Sequence, residues 1–230
     1  MDKTVEELAP IFSEQTYNML GSKSKEKRVK SINDNISHLG YSVVPEHSNR
    51  DILTVDNGEH RFIAHRGTSM TDKHKAKGDI VADLKFALGK EAHDKTFKKR
   101  RKFTDNIIKN TSPDKKIILT GHSLGGGTSS FAMEKKTIRD KVNQLHTYNP
   151  AISPFTSSPS KNIVKELNKK VTHHRVQGDI FSASSTPNYG TVKTYKAVVD
   201  KKLKSIPKHL QNSITSLDVL KNHSLTNFIN

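Results

Sequence analysis

The sequence predicts a single α/β domain spanning its 230 residues, with a mostly parallel central sheet covered by helices on both faces. Three observations predict it. Short β-branched runs alternate with longer segments of helical periodicity, the pattern left by strand–helix–strand units. Asp56-Asn57-Gly58 separates two such runs as a hairpin turn would. The length suits one core of this kind and is short for two.

The elements follow in order. Val5 to Leu20 carries apolar residues at Leu8, Ile11, Phe12, Tyr17 and Leu20, which predicts a helix interrupted or started near Pro10. Lys25 to His38 predicts a second helix stopping at Gly40, so residues 1–40 form an N-terminal helical segment packed on the domain. Strands are expected over Tyr41–Val44, Ile52–Val55 and His60–Ala64, the last two forming the hairpin. After the polar stretch HRGTSMTDKHKAKGD come helices over Ile80–Leu88 and Asp94–Asn110. A strand over Lys115–Thr120 leads to a helix over Leu124–Lys136, followed by a strand over Val142–Tyr148. Ser153 to Ser160 is a loop, Ile163–Leu167 a short helix, Val171–Val176 and Val192–Val199 strands, and Leu210–Leu220 a helix.

Composition removes several function classes. The chain has no cysteine, which excludes disulfides, thiolate metal sites and a cysteine nucleophile. Lys and Arg exceed Asp and Glu by 39 − 23 = 16, which brings anionic partners into consideration. The charge as a whole has a solvated lysine-rich surface as its plain reading, and the densest basic run, Lys98-Lys99-Arg100-Arg101-Lys102, falls within an expected helix between Phe97 and Phe103. No helix-turn-helix, zinc-finger or RNA-binding aromatic signature accompanies it, so specific nucleic-acid binding is not expected. No signal peptide is visible, and no stretch approaches the ~18 consecutive apolar residues of a membrane span. A cytoplasmic protein, or one packaged in a larger particle, is expected over a classically secreted one.

Chemistry concentrates at LTGHSLGGG, residues 119–127, where Ser123 occupies a G-x-S-x-G between an expected strand and an expected helix. That context places a serine at a strained apex with its hydroxyl exposed above the sheet. Gly121 and Gly125 stand where side chains would collide with neighbouring elements. A serine hydroxyl needs a histidine to take its proton and a carboxylate to hold the imidazole. In the strand–elbow–helix arrangement the chain order is serine, acid, histidine. Asp179 follows Gly178 just after a strand and is the favoured acid; Asp200, ending another apolar strand, competes with it. Asp140 reads as surface. The base then lies among His209 and His223, and His223 is favoured because a loop before a terminal helix can deliver its imidazole. Two donors must meet the developing oxyanion. The backbone N–H of Leu124 is one, and Thr68, in His65-Arg66-Gly67-Thr68, is the other.

These residues resemble the class 3 lipase family, the fungal-lipase-like branch of the α/β hydrolases. Four segments match in order: AHRGT at 64–68, GDIVADLKFALG at 78–89, LTGHSLGGG at 119–127 and VTHHRVQGDI at 171–180. NHSLTNFI at 222–229 is a weaker fifth. The resemblance implies an α/β-hydrolase fold and an oxyanion Thr68, with Ser123, Asp179 and His223 as triad. It implies carboxylic-ester hydrolysis on a lipid without metal or cofactor. Two departures bear on substrate. The lid segment 69–82 is polar, with Met70, Ile80 and Val81 as its large apolar members, and Ile180-Phe181-Ser182 replaces the family's Val-Pro after the acid. Asp83 reads as a lid anchor. Together with the basic charge, the polar lid makes phospholipid or monoacylglycerol as fitting a substrate as triglyceride, with peripheral contact to an anionic membrane. A lipase-like binding module without turnover, or a serine hydrolase cutting peptide or thioester bonds, are the alternatives.

Overall fold

The computed structural model describes residues 3–20, 23–68, 93–152, 159–179, 188–196 and 224–229. The expected helices over Ile80–Leu88 and Leu210–Leu220, the lid segment 69–82, Asp83, Asp200, His209 and His223 lie outside the described residues.

A seven-stranded mixed sheet organises the chain. Its strands are β1 (Ser42–Val43), β2 (Ile52–Asp56), β3 (His60–His65), β4 (Lys116–His122), β5 (Val142–Tyr148), β6 (Val171–Val176) and β7 (Thr191–Tyr195), lying side by side in sequence order. The first two pairings are antiparallel and the remaining four are parallel. The hairpin expectation holds: Val55 faces Phe62 and Asp56 faces Arg61, while Gly58 takes φ 93° in the turn and donates its N–H to the Asp56 carboxylate.

Period-two alternation sorts the strand side chains onto two faces, as a sheet buried on both sides requires. Leu53, Val55, Phe62, Ala64 and Ile118 join a cluster with Leu8, Phe12, Met19, Ile32 and Ile36 of the N-terminal segment. The intervening Ile52, Ile63, Ile117 and Leu119 join another cluster with Ile107, Ala132, Met133, Ile138 and Leu167. The N-terminal helices α1 (Val5–Gln15) and α2 (Lys25–Ile36) therefore cover one face. On the other pack α3 (Lys98–Lys109), α4 (Leu124–Met133), α5 (Lys136–Arg139) and α6 (Lys161–Leu167).

Three local expectations need correction. Pro10 neither starts nor interrupts α1, which begins at a capping box between Thr4 and Glu7 and runs through the proline. Proline cannot donate to the carbonyl four residues back. That carbonyl, Glu6, instead accepts the Tyr148 hydroxyl at 3.2 Å, so the helix survives because the sheet supplies the missing donor. Second, the helix after Ser123 ends at Met133 and a separate turn, α5, follows. Arg139 from that turn donates to the carbonyls of Met133 and Glu134, satisfying acceptors at the helix end. Third, the expected helix Asp94–Asn110 opens with a π-helical turn, His93–Phe97, before α3. Among the described residues no helix is long and apolar enough to cross a membrane.

Candidate active site

Parallel strands bring the expected residues to one edge of the sheet. Thr68 lies three residues beyond β3, Ser123 directly follows β4, and Asp179 lies three residues beyond β6, all at carboxyl ends. Sites in open α/β sheets are built at that edge.

Ser123 sits at φ 55° and ψ −125° between β4 and α4. A non-glycine residue there costs on the order of 1–3 kcal/mol and persists only when its surroundings over-determine it. They do so here. The Ser123 N–H donates to the Tyr148 carbonyl at 3.0 Å, and the Ser123 carbonyl accepts from Gly127 and Ala151 at 3.1 and 3.0 Å. Glycines let the backbones close around it. A methyl on Gly125 would stand 2.0 Å from the His65 carbonyl oxygen, and one on Gly121 would stand 2.4 Å from the Gly125 carbonyl carbon. Gly127, which the sequence did not single out, meets the Ala151 carbonyl at 2.0 Å in the same way. One expectation changes: Ser123 is 4% exposed rather than standing proud of the sheet. The Gly67 loop on one side and the Asn149–Ala151 turn on the other close over it.

Thr68 and Leu124 line one cleft of about 480 Å³, together with Asp51, Arg66, Gly67, Lys95, Thr96, Lys99 and Arg100. The Thr68 hydroxyl is buried and has no hydrogen-bond partner among the described residues. Leu124 opens α4, where helix N–H groups have no intrahelical acceptor. Two donors of the kind an oxyanion requires thus border the same space.

The loop that carries Thr68 is tied down by residues the sequence did not reveal. Arg66 donates its backbone N–H to the Asp51 carbonyl at 2.9 Å and its side chain to the Arg50 and Gly67 carbonyls at 2.7 and 2.8 Å. Arg100, 4% exposed, donates to the Arg66 carbonyl and shares the Asp51 carboxylate with Arg66 at 3.1 and 3.2 Å. Burial pushes the Asp51 carboxyl up, but Arg100 and Arg66 together hold it below the usual range. The run at 98–102 is therefore not wholly solvated surface, since its third member is an internal brace. On the opposite side the Tyr17 hydroxyl meets His122 Nδ1 at 2.9 Å. Burial pushes that phenol up to about 12, so it stays protonated near neutrality.

His65 is fully buried, its ring nitrogens bonded to Thr128 and Thr104 hydroxyls at 3.0 and 2.9 Å. Burial, with Arg100 nearby, holds it down to about 3, so it is a neutral structural link.

Asp179 is 1% exposed and follows a tight turn in which Gly178 takes φ 85°. Its N–H caps that turn on the Val176 carbonyl at 3.1 Å, and Arg175 is its electrostatic neighbour. His223 lies outside the described residues, but the segment after it is fixed. Leu225 is buried in the core, and Phe228 packs on Tyr148 with ring centroids 5.0 Å apart. No family model matches this chain, and no curated protein does.

Proposed function

We propose that the chain is a serine carboxylic-ester hydrolase of the α/β-hydrolase fold, similar to class 3 lipases and acting on lipid esters. The strained Ser123 at the strand–helix junction, packed by the Gly67 loop whose next residue, Thr68, has a buried hydroxyl without a partner among the described residues, carries this reading. Backbone strain of this kind gathers at functional sites, and a buried donor without an acceptor carries a desolvation cost that a bound oxyanion removes.

In the proposed reaction the Ser123 hydroxyl attacks the ester carbonyl while His223 takes its proton and Asp179 holds the imidazole. The carbonyl π electrons move onto oxygen, and the resulting oxyanion accepts hydrogen bonds from the Thr68 hydroxyl and the Leu124 N–H; one such donor is worth about 3 kcal/mol. Collapse breaks the bond to the alcohol, which leaves with the proton from His223. Water, deprotonated by the same histidine, then releases the acid. The anchoring of Phe228 on Tyr148, whose carbonyl holds Ser123, supports placing the C-terminal tail in the machinery.

The cleft lining favours an anionic lipid ester over neutral fat. Among the described residues Arg66, Arg100 and Lys99 border it with Asp51 as the one carboxylate, and Leu124 is its one large apolar side chain. The test is hydrolysis of p-nitrophenyl esters of short and long acyl chains beside Ser123→Ala. Release that vanishes in the variant is expected; equal release from both proteins would refute the reading. Hydrolysis of anionic vesicles that exceeds that of neutral ones, and weakens as salt is raised, checks the headgroup preference.

A further inference from the structure

We propose that Tyr17, from the N-terminal segment, is a positioning residue of the active site: its hydroxyl ties the oxyanion loop to the nucleophile strand through Gly67 and His122. The inference rests on reading Ser123 as the nucleophile and Thr68 as an oxyanion donor.

Three observations converge on that oxygen. It lies 2.9 Å from His122 Nδ1, in the residue immediately before Ser123. The backbone of Gly67, the residue immediately before Thr68, packs against it. The approach is so close that a methyl on Gly67 would stand 2.4 Å from the Tyr17 oxygen, 2.7 Å from the His122 carbonyl and 3.3 Å from Ser123 Cβ. A phenol has one proton to donate. Through that bond to His122 Nδ1 the hydroxyl holds the nucleophile strand while its oxygen packs on the loop.

The consequence falls on Thr68. Gly67 is held between the Tyr17 oxygen, against which it packs, and the Arg66 side chain, which donates to its carbonyl at 2.8 Å. Thr68 and Leu124 are the proposed oxyanion donors. Their separation is set by how far the loop stands from the end of β4, and Tyr17 spans that gap. The N-terminal segment, beyond covering one face of the sheet, thus reaches into the catalytic edge. Nothing in its sequence marks Tyr17 as more than an apolar position on a helix face.

The experiment compares wild type, Tyr17→Phe and Ser13→Ala. The phenylalanine keeps the ring and removes the bridge. Ser13→Ala removes a different buried hydrogen bond between the N-terminal segment and β4, from Ser13 to Thr120 at 2.8 Å, away from the loop. Ester turnover and amide hydrogen exchange at Gly67 are both read. Tyr17→Phe is expected to lower kcat about 10- to 100-fold with KM within about twofold, since an Å-scale displacement of transition-state donors acts on the chemical step. It is also expected to speed Gly67 exchange, while Ser13→Ala changes neither. Wild-type kcat and unchanged Gly67 exchange in Tyr17→Phe would overturn the proposal, as would an equal loss in Ser13→Ala. Absence of turnover in the wild type would instead overturn the esterase reading, and the proposal with it; exchange at Gly67 reports the bridge independently.

Discussion

Replacing Gly125 by alanine probes the closure that creates the elbow. The added methyl would lie 2.0 Å from the His65 carbonyl oxygen, 2.8 Å from its carbon and 2.9 Å from the Arg66 carbonyl carbon. All three are backbone atoms at the end of β3, so no side chain can swing aside, and α4 must move off the sheet by roughly an ångström. Overpacking of this kind costs about 3 kcal/mol at the upper end of the usual range. Alanine returns about 1 kcal/mol through its better helix propensity, leaving a net loss of about 2 kcal/mol. For a chain of this size that lowers Tm by about 4–8 °C. Gly126→Ala is the control: its nearest neighbour is the Pro150 Cβ at 3.0 Å, and propensity offsets most of the crowding. Thermal and urea unfolding of the two variants decide the matter. A Gly125→Ala protein as stable as wild type, or no less stable than Gly126→Ala, would refute the packing argument.

Two further predictions follow from the same structure. Thr68→Val should lower kcat for p-nitrophenyl esters about 10²- to 10³-fold. It should leave stability unchanged or slightly raised, because the hydroxyl it removes is buried without a partner among the described residues; unchanged kcat would remove Thr68 from the proposed oxyanion site. A pH dependence of stability is expected from four of the five histidines buried among the described residues. Burial lowers His65 and His174 to about 3, and His146 and His173 to about 4. Below about pH 6.5 the unfolded chain takes up protons that the folded chain refuses, so stability falls as pH drops toward those values. Each histidine contributes up to about 1.4 kcal/mol per pH unit in that window. Urea unfolding at pH 7.5, 6 and 5 should show this decline, and a flat profile would show that the histidines are not buried neutral.

Much of the architecture was legible in the chain. Ile117, Ile118 and Leu119 announce a strand buried on both faces, and Asp56-Asn57-Gly58 announces the hairpin, because period and turn chemistry are local properties. The crowding at Gly121 and Gly125 was legible for the same reason, since a serine elbow needs close backbones wherever it occurs. Pro10 misled because the donor that rescues its helix, Tyr148, is 138 positions away and invisible to any local rule. Arg100 misled because it stands among exposed basic neighbours, and burial selects a single member of the run.

By itself, then, the sequence determined the alternation of strands and helices, the strained junction at Ser123 and the residue types its chemistry requires, since backbone propensity and side-chain reactivity travel with each residue. Only the tertiary structure decided what surrounds that junction. Asp51, Arg66 and Arg100 form an internal brace, the Thr68 hydroxyl is left without a partner among the described residues, and Tyr17 reaches the loop of Gly67 and Thr68 from an element more than 100 residues before the serine. Such contacts arise when parallel strands gather distant loops at one edge, and the identity of the neighbours depends on packing that no short stretch of sequence encodes.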